Sequence, residues 1–150
     1  MKAINVAKYF LYKANQDGDL ITNLKMQKLL YYAQAWYLVN FDKPLFEDQI
    51  FAWDFGPVVK NVYDKYKKYR YTPIILEENF ERNIKKIDKE DKKYLDEFYD
   101  QFINYSAHDL VDLSHREAPW KKSYKTRTQI IGIDLMKDFY TKLYGQSIKK

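Results

Sequence analysis

Apolar residues recur every three to four positions along most of the chain, and only four glycines and four prolines interrupt them. This spacing predicts long α-helices. The first ends at Asp17 and Gly18, where glycine can terminate a helix. Thr22 or Asn23 can cap a second helix, "LKMQKLLYYAQAWYLVN", which is apolar around most of its circumference. A helix of that kind lies in the middle of a domain, so we expect it to be the central helix.

The stretch "FDKPLFEDQIFAWDFGP" departs from the helical pattern. Pro44 and Pro57 bracket it, and its "IFAW" segment consists of residues that favour a strand. Gly56 followed by Pro57 suits a helix start, because the missing N–H of proline costs nothing at the first helical position. The pattern therefore predicts that the helix "PVVKNVYDKYKKY" begins directly after Gly56.

The aromatic residues of this region are expected to face the core. Trp53 and Phe55 are two positions apart, so in an extended segment they share one face, while Asp54 points the other way. We therefore expect both rings to pack inward and Asp54 to cap or pair nearby. Three tyrosines continue the apolar face of the following helix: Tyr63, Tyr66 and Tyr69.

The second half of the chain contains more helices and fewer clear boundaries. "PIIL", from Pro73, suggests a short strand, and the strongly charged residues 77–93 suggest an exposed connection. Asp88 can cap the next helix, and Ser106 with Asp109 resembles a capping box. The apolar face of the helix after Asp88 is predicted to run through Leu95, Phe98, Phe102 and Tyr105.

The end of the chain is predicted to hold one loop and one helix. "HREAPWKKSYKTRTQ" is polar and is expected to be irregular, and Asp134 can cap a last helix that ends at Gly145. Together these elements predict a mainly α-helical fold, with one compact domain over residues 1–150 and room for one small β-sheet or hairpin.

Composition narrows the class of protein. Hydrophobic residues make up 46% of the chain, which argues against intrinsic disorder. There is no cysteine, so disulfides and thiolate metal sites are excluded and a reducing cytoplasm is the natural compartment. Asn5, Lys8 and Lys13 interrupt the first apolar run, which therefore does not resemble a signal peptide. No run approaches the roughly 20 apolar residues that span a bilayer.

Catalytic and metal chemistry find no support in the sequence. His108 and His115 are seven residues apart, which is about 10 Å on one helix and too far for one ion. Ser114 precedes His115, but adjacent helical residues point about 100° apart and do not form a nucleophile with its base. No glycine-rich phosphate loop is present. We expect no catalytic residue, no metal, no cofactor and no enzymatic activity.

Two basic stretches raise nucleic-acid binding as an alternative. The net charge is +5, and the stretches Lys60–Arg70 and Lys121–Arg127 combine basic residues with tyrosines. Such a surface could follow a phosphate backbone while the tyrosines stack on bases. The competing interpretation, which we favour, is that the lysines face water and the tyrosines face the core. The basic residues concerned are Lys60, Lys67, Lys68, Arg70, Lys121, Lys122, Lys125 and Arg127.

Three segments carry a resemblance to a known family: "ITNLKMQKLLYYAQAWYLV", "KPLFEDQIFAWDFGPVVKNVYDKY" and "LSHREAPWKKSY". In this order and spacing the chain resembles the Panacea domain, also described as the SocA-like or phage-associated GepA-like antitoxin domain. The resemblance extends from about Ala3 to Tyr144. Phe55 stands where tyrosine is common in that family.

The resemblance implies a protein partner. Members of the family are typically antitoxins that neutralise a neighbouring toxin by direct contact, and a SocA-like member also delivers its toxin to a protease. An alternative role is that of a phage-encoded interaction or adaptor protein acting on a host or defence protein. The motif positions either contact the partner or hold the shared scaffold. They are Trp53, Phe55, Gly56, Pro57, Val58, His115 and Trp120.

Overall fold

The described residues, 1–77, 81 and 84–149 of a computed structural model, form seven α-helices and one three-stranded antiparallel sheet. The predicted mainly α-helical class with one small sheet is confirmed. The elements in chain order are α1 (Ala3–Asp17), α2 (Asn23–Phe41), β1 (Ile50–Trp53), β2 (Gly56–Val59), α3 (Lys60–Tyr66), a 3-10 segment (Lys67–Tyr69), α4 (Lys89–Phe102), α5 (Ala107–Arg116), α6 (Ala118–Tyr124), β3 (Ile130–Ile131) and α7 (Ile133–Lys149).

Helix α2 is the central helix, as predicted. It contacts α1, α3, α4, α5, α7 and β2, and thirteen of its nineteen residues are buried. The Thr22 hydroxyl caps its start by accepting a hydrogen bond from the amide of Lys25. Because neighbours surround this helix, even polar residues on it, such as Gln27, Lys28 and Gln34, are buried.

The start and end signals of several helices are confirmed. Gly18 ends α1 in the left-handed region at a φ of 75°. The Asp88 carboxylate accepts from the amide of Asp91 at the start of α4. Ser106 and Asp109 form both hydrogen bonds of a capping box at the start of α5. These signals act within one helical turn, which is why the sequence alone is sufficient to find them.

The predicted helix start at Gly56 and Pro57 is wrong. Residues Gly56–Val59 form strand β2, which pairs with β1 in a hairpin where Trp53 lies opposite Gly56, and α3 begins only at Lys60. The helix "PVVKNVYDKYKKY" is correspondingly shorter, ending at Tyr66 before one 3-10 turn. Pairing with β1 outweighs the local preference of a Gly-Pro pair for a helix start.

Strand β1 lies in the middle of the sheet, in the order β2-β1-β3. Ile50 pairs with Val59 on one side and with Ile131 on the other. The sheet therefore joins the middle of the chain to the segment just before α7.

Three further expectations about the second half are wrong. The predicted loop "HREAPWKKSYKTRTQ" contains the end of α5 and then α6, which has Pro119 in its first turn. Helix α7 starts at Ile133 and continues through Gly145 to Lys149, so Asp134 lies in its first turn instead of capping it. Because the segment is polar we expected a loop, but it forms helix α6, which buries one face.

The remaining differences concern single residues and one connection. Tyr105 lies beyond the end of α4 and is 48% exposed, whereas we expected it to face inward. "PIIL" forms no strand, only an isolated bridge between Thr22 and Pro73. In the connection over residues 77–93, α4 already begins at Lys89, and residues 78–80, 82 and 83 lie outside the described residues.

Candidate functional site

A buried lysine of helix α2 packs against the β1–β2 hairpin and forms a hydrogen bond with it. Lys28 projects from the central helix, is 0% exposed, and donates a hydrogen bond of 2.9 Å from Nζ to the carbonyl of Pro57. The hydroxyl of Ser114, in α5, lies beside it and donates to the carbonyl of Val111. A Cβ added at Gly56 would lie 2.6 Å from Cε of Lys28 and 3.0 Å from Oγ of Ser114. A larger residue would force the buried Lys28 and Ser114 side chains to move, so glycine lets the hairpin lie this close to both helices.

The backbone at Gly56 gives a second reason for glycine. Its φ of 105° lies in a region that residues with a side chain rarely adopt. This conformation follows the two-residue turn formed by Asp54 and Phe55 and returns the chain into β2. Turn geometry and packing both require glycine at this position.

Lys28 is fully buried and forms no ion pair among the described residues. Burial lowers the pKa of Lys28 from 10.5 to about 7, because the charged ammonium loses its hydration. At neutral pH the side chain is therefore close to the midpoint of its titration. We therefore expect the stability that this part of the fold contributes to depend on pH.

Two buried amides of α2 hold the neighbouring backbone. The Gln27 side chain accepts from the amide of Val59 at 2.9 Å and donates to Asn23. The Gln34 side chain accepts from the amide of Leu45 and donates to the carbonyl of Phe46, both at 2.7 Å. Side chains of α2 thus satisfy backbone groups of β2 and of the turn before β1, which cannot all pair within the small sheet.

The "HREAPW" segment packs against the end of strand β1. The ring of His115 lies 4.2 Å from that of Trp120, and the indole N–H of Trp120 donates to the carbonyl of Trp53 at 2.8 Å. Trp120 also stacks on Tyr124, with ring centroids 4.6 Å apart. Nε2 of His115 is buried and has no hydrogen-bond partner within the described residues. Helices α5 and α6 therefore hold the end of β1 through one hydrogen bond and a row of rings.

The tip of the hairpin faces outward. Phe55 is 71% exposed, so the prediction that it packs inward is wrong, and Trp53 is only half-buried, in a T-shaped contact with the ring of Tyr63. The reason is that β1 ends at Trp53, so the alternation of strand faces does not extend to Phe55 in the turn. The prediction that Asp54 pairs nearby is confirmed, since it accepts from the hydroxyl of Tyr124.

Glu117 forms a second buried polar cluster, which the sequence did not indicate. Its Oε1 accepts from the hydroxyls of Tyr32 at 2.5 Å and Tyr140 at 2.8 Å, and the Tyr140 hydroxyl lies 2.9 Å from that of Tyr31. Burial raises the pKa of Glu117, while the tyrosine hydroxyls act in the opposite direction. Four polar side chains thus connect α2, the α5–α6 junction and α7. Tyrosine at helical spacing was the available signal, but it indicates burial without identifying a partner.

The motif positions expected to contact a partner lie together but differ in exposure. Trp53, His115 and Trp120 are half-buried and adjoin one another through the contacts above. Phe55 is exposed at the tip. The other three are buried in the hairpin support: Gly56, Pro57 and Val58.

The basic residues considered for nucleic-acid contact are all exposed, in two separate places. Lys60 and Lys67 are paired with Asp64, at 2.6 and 3.9 Å, and Tyr66 between them is buried. Lys68 lies over the ring of half-buried Tyr69. The second group lies on and after α6: Lys121, Lys122, Lys125 and Arg127.

Among residues 1–77, 81 and 84–149, no three histidine, aspartate or glutamate side chains come together to hold a metal ion. None of the helices in the same residues is long and apolar enough to cross a membrane.

Comparisons with known proteins confirm the resemblance inferred from the sequence. Residues 26–121 match the family described as Antitoxin SocA-like, Panacea domain. A stretch of 58 residues, 39% of the chain, is 45% identical to the protein named Antitoxin SocA from Caulobacter vibrioides (strain NA1000 / CB15N). That match covers 31% of the relative, so the chain matches less than a third of that protein's length. No solved structure gives a significant match.

Proposed function

Because the chain belongs to the Antitoxin SocA-like, Panacea domain family, we propose that it is an antitoxin that neutralises a cognate toxin by direct contact. The family match over residues 26–121 is the observation that carries this proposal. In this role the protein acts in the cytoplasm without catalysis, and its effect depends on covering a functional face of the toxin.

The toxin-binding surface is the aromatic patch, defined as Trp53, Phe55, Trp120 and Tyr124. Phe55 is a large apolar ring held away from the core, and no described residue packs over most of it. Exposed aromatic rings that become buried on association supply a large share of the binding energy in protein interfaces. Tyr124 and Trp120 extend the patch along α6 by stacking on each other.

The contacts that hold the β1–β2 hairpin in place favour tight binding by the aromatic patch. The Lys28 hydrogen bond, the close approach of Gly56 and the Trp120 bond to Trp53 hold both strands of the hairpin. A recognition loop that is already ordered loses less conformational entropy on binding. In this proposal Gly56, Pro57 and Val58 position Phe55 and do not contact the toxin themselves.

Co-expression with the product of the neighbouring gene tests the proposal. We expect that product to stop growth when expressed alone and to be harmless when this chain is present, with the two proteins co-purifying. A neighbouring product that is harmless alone, or that remains toxic beside this chain, would contradict the antitoxin role.

A single substitution tests the surface. Phe55→Ala is expected to weaken binding of the neighbouring product by on the order of tenfold or more, because a hot-spot aromatic contributes about 2 kcal/mol. Tyr71→Ala is the matched control, since Tyr71 is 95% exposed in a turn outside the aromatic patch. Equal binding by both variants, with neutralisation retained, would place the interface elsewhere.

A further inference from the structure

The aromatic patch borders a cationic strip, defined as Lys121, Lys122, Lys125 and Arg127. Tyr124 belongs to the patch and directly precedes Lys125, and one turn of α6 separates it from Lys121. All four strip residues are exposed. At helical spacing Lys121 lies next to Tyr124, and Lys125 lies one turn beyond Lys121, so positive charges border the aromatic rings on this side of α6.

The charge of the strip is not compensated from within the chain. No acidic residue occurs between Ala118 and Ile133, and no strip residue forms an ion pair among the described residues. The two nearby carboxylates bond to tyrosine hydroxyls and not to the strip. Asp54 accepts from Tyr124, and buried Glu117 accepts from two tyrosines. Elsewhere exposed lysines do pair, as Lys142 does with Asp138.

We infer that the partner presents to this surface an apolar pocket or shelf for Phe55, flanked by aspartate or glutamate side chains opposite the cationic strip. This inference rests on the proposed antitoxin role and adds the chemistry of the toxin face. An interface of this kind has a ring that becomes desolvated at the centre and charges at the rim. The rim charges accelerate association and select acidic partners more than they add affinity.

A nucleic acid is the competing ligand for rings beside positive charges, and the fold disfavours it. A binding groove for a strand needs cations along its path and exposed rings for stacking. The other basic stretch, Lys60–Arg70, does not extend the strip in this way, because Lys60 and Lys67 are paired with Asp64 and Tyr66 is buried. Four cations beside α6 form a small surface that suits the rim of a protein interface.

The test measures binding of the full chain to the neighbouring gene's product at about 50 and about 500 mM NaCl, which changes charge screening strongly. For the wild type we expect kon to fall by on the order of tenfold at the higher salt. The variant Lys121→Glu/Lys125→Glu is expected to raise Kd by at least about tenfold and to lose most of the salt dependence.

The matched control is Lys89→Glu/Lys93→Glu. Both lysines are exposed on α4, and the change in net charge is the same. We expect its Kd to stay within about threefold of the wild type, because those charges lie away from the interface and are screened. Equal losses in both variants would show that only net charge matters and would overturn the inference.

The remaining outcomes separate this inference from the proposed function. Binding and neutralisation that survive the α6 charge reversal would overturn the acidic face and leave the antitoxin role intact. Absence of binding by the wild type would remove the antitoxin role itself. Binding of a labelled DNA duplex or single-stranded RNA at physiological salt, lost in the α6 variant, would assign the strip to nucleic acid and overturn the inference.

Discussion

Lys28 and Glu117 are both ionisable and both buried, but their surroundings differ. Lys28 lies under the hairpin and donates to one backbone carbonyl, that of Pro57, whereas Glu117 accepts from the hydroxyls of Tyr32 and Tyr140. Burial lowers the pKa of Lys28 and raises that of Glu117, so each environment favours the neutral form.

Lys28 and Glu117 also differ in the part of the structure that each one contacts. Lys28 packs against a backbone that only glycine can bring so close, so the hairpin depends on shape. Glu117 is held by side chains whose rings also pack edge-on against each other, as Tyr32 and Tyr140 do. Side-chain shifts could relieve the contact with Lys28, but they cannot change the φ of 105° that the hairpin imposes on Gly56. We therefore expect the Lys28 region to tolerate substitution less well than the Glu117 region.

The largest expected effect is that of Gly56→Ala. The new Cβ would overlap Cε of Lys28 and occupy a backbone conformation with a φ of 105°. Overpacking and backbone strain together should lower the free energy of unfolding by about 2–4 kcal/mol. Urea denaturation followed by circular dichroism measures this loss.

Two other glycines act as controls for Gly56→Ala. Gly18 has a φ of 75° but no atom within 4 Å of an added Cβ, so Gly18→Ala should cost only about 1 kcal/mol from strain. Gly132 has neither feature, and Gly132→Ala should change stability by less than about 0.5 kcal/mol. If all three substitutions cost the same, close packing at Gly56 is not the cause.

The next effect is the pH dependence contributed by Lys28. Its folded pKa of about 7 lies below the unfolded value of 10.5, so the unfolded chain binds more protons between these values. The free energy of unfolding should therefore rise with pH above 7, by at most about 1.4 kcal/mol per pH unit from this group. Lys28→Met should remove this contribution in denaturation curves recorded between about pH 6 and 9. An unchanged slope in the variant would contradict the assigned environment.

The smallest effect is that of Glu117, and it has the opposite sign. Its folded pKa is raised above the unfolded value of 4.5, so the folded chain binds more protons in that window. Stability from this group is fully present below pH 4.5 and is lost as pH rises through the folded pKa. Glu117→Gln should reduce the loss of unfolding free energy with rising pH. The glutamine keeps an oxygen that accepts from Tyr32 and Tyr140. A decline as steep as that of the wild type would indicate that another group causes it.

Helices and their caps follow from local sequence, because the signals act within a few residues. The apolar circumference of α2, the αL glycine at position 18 and the capping box at Ser106 each required no knowledge of distant contacts. Family membership was also readable, since three motifs kept their order and spacing. The α6 helix was missed because its seven residues are too few to show helical spacing, and because it packs on a strand that is distant in sequence.

What tertiary structure decided was the role of individual residues in the candidate site. Lysine in a helix is normally solvated, and only burial of α2 on all sides places Lys28 beneath the hairpin. The same applies to Glu117, whose tyrosine partners lie 85 and 23 residues away in the sequence.

The segment "WDFGP" shows most clearly which features followed from local sequence and which required the tertiary structure. Its sequence alone indicated a change of element at Gly56, and the local signals there favoured a helix start. Only pairing of β2 with β1, and the amide of Val59 bonding to Gln27, made it a hairpin. Ending β1 at Trp53 then left Phe55 in the turn, exposed to solvent. Long-range backbone hydrogen bonds outweigh a local helix preference, because buried backbone groups must be paired.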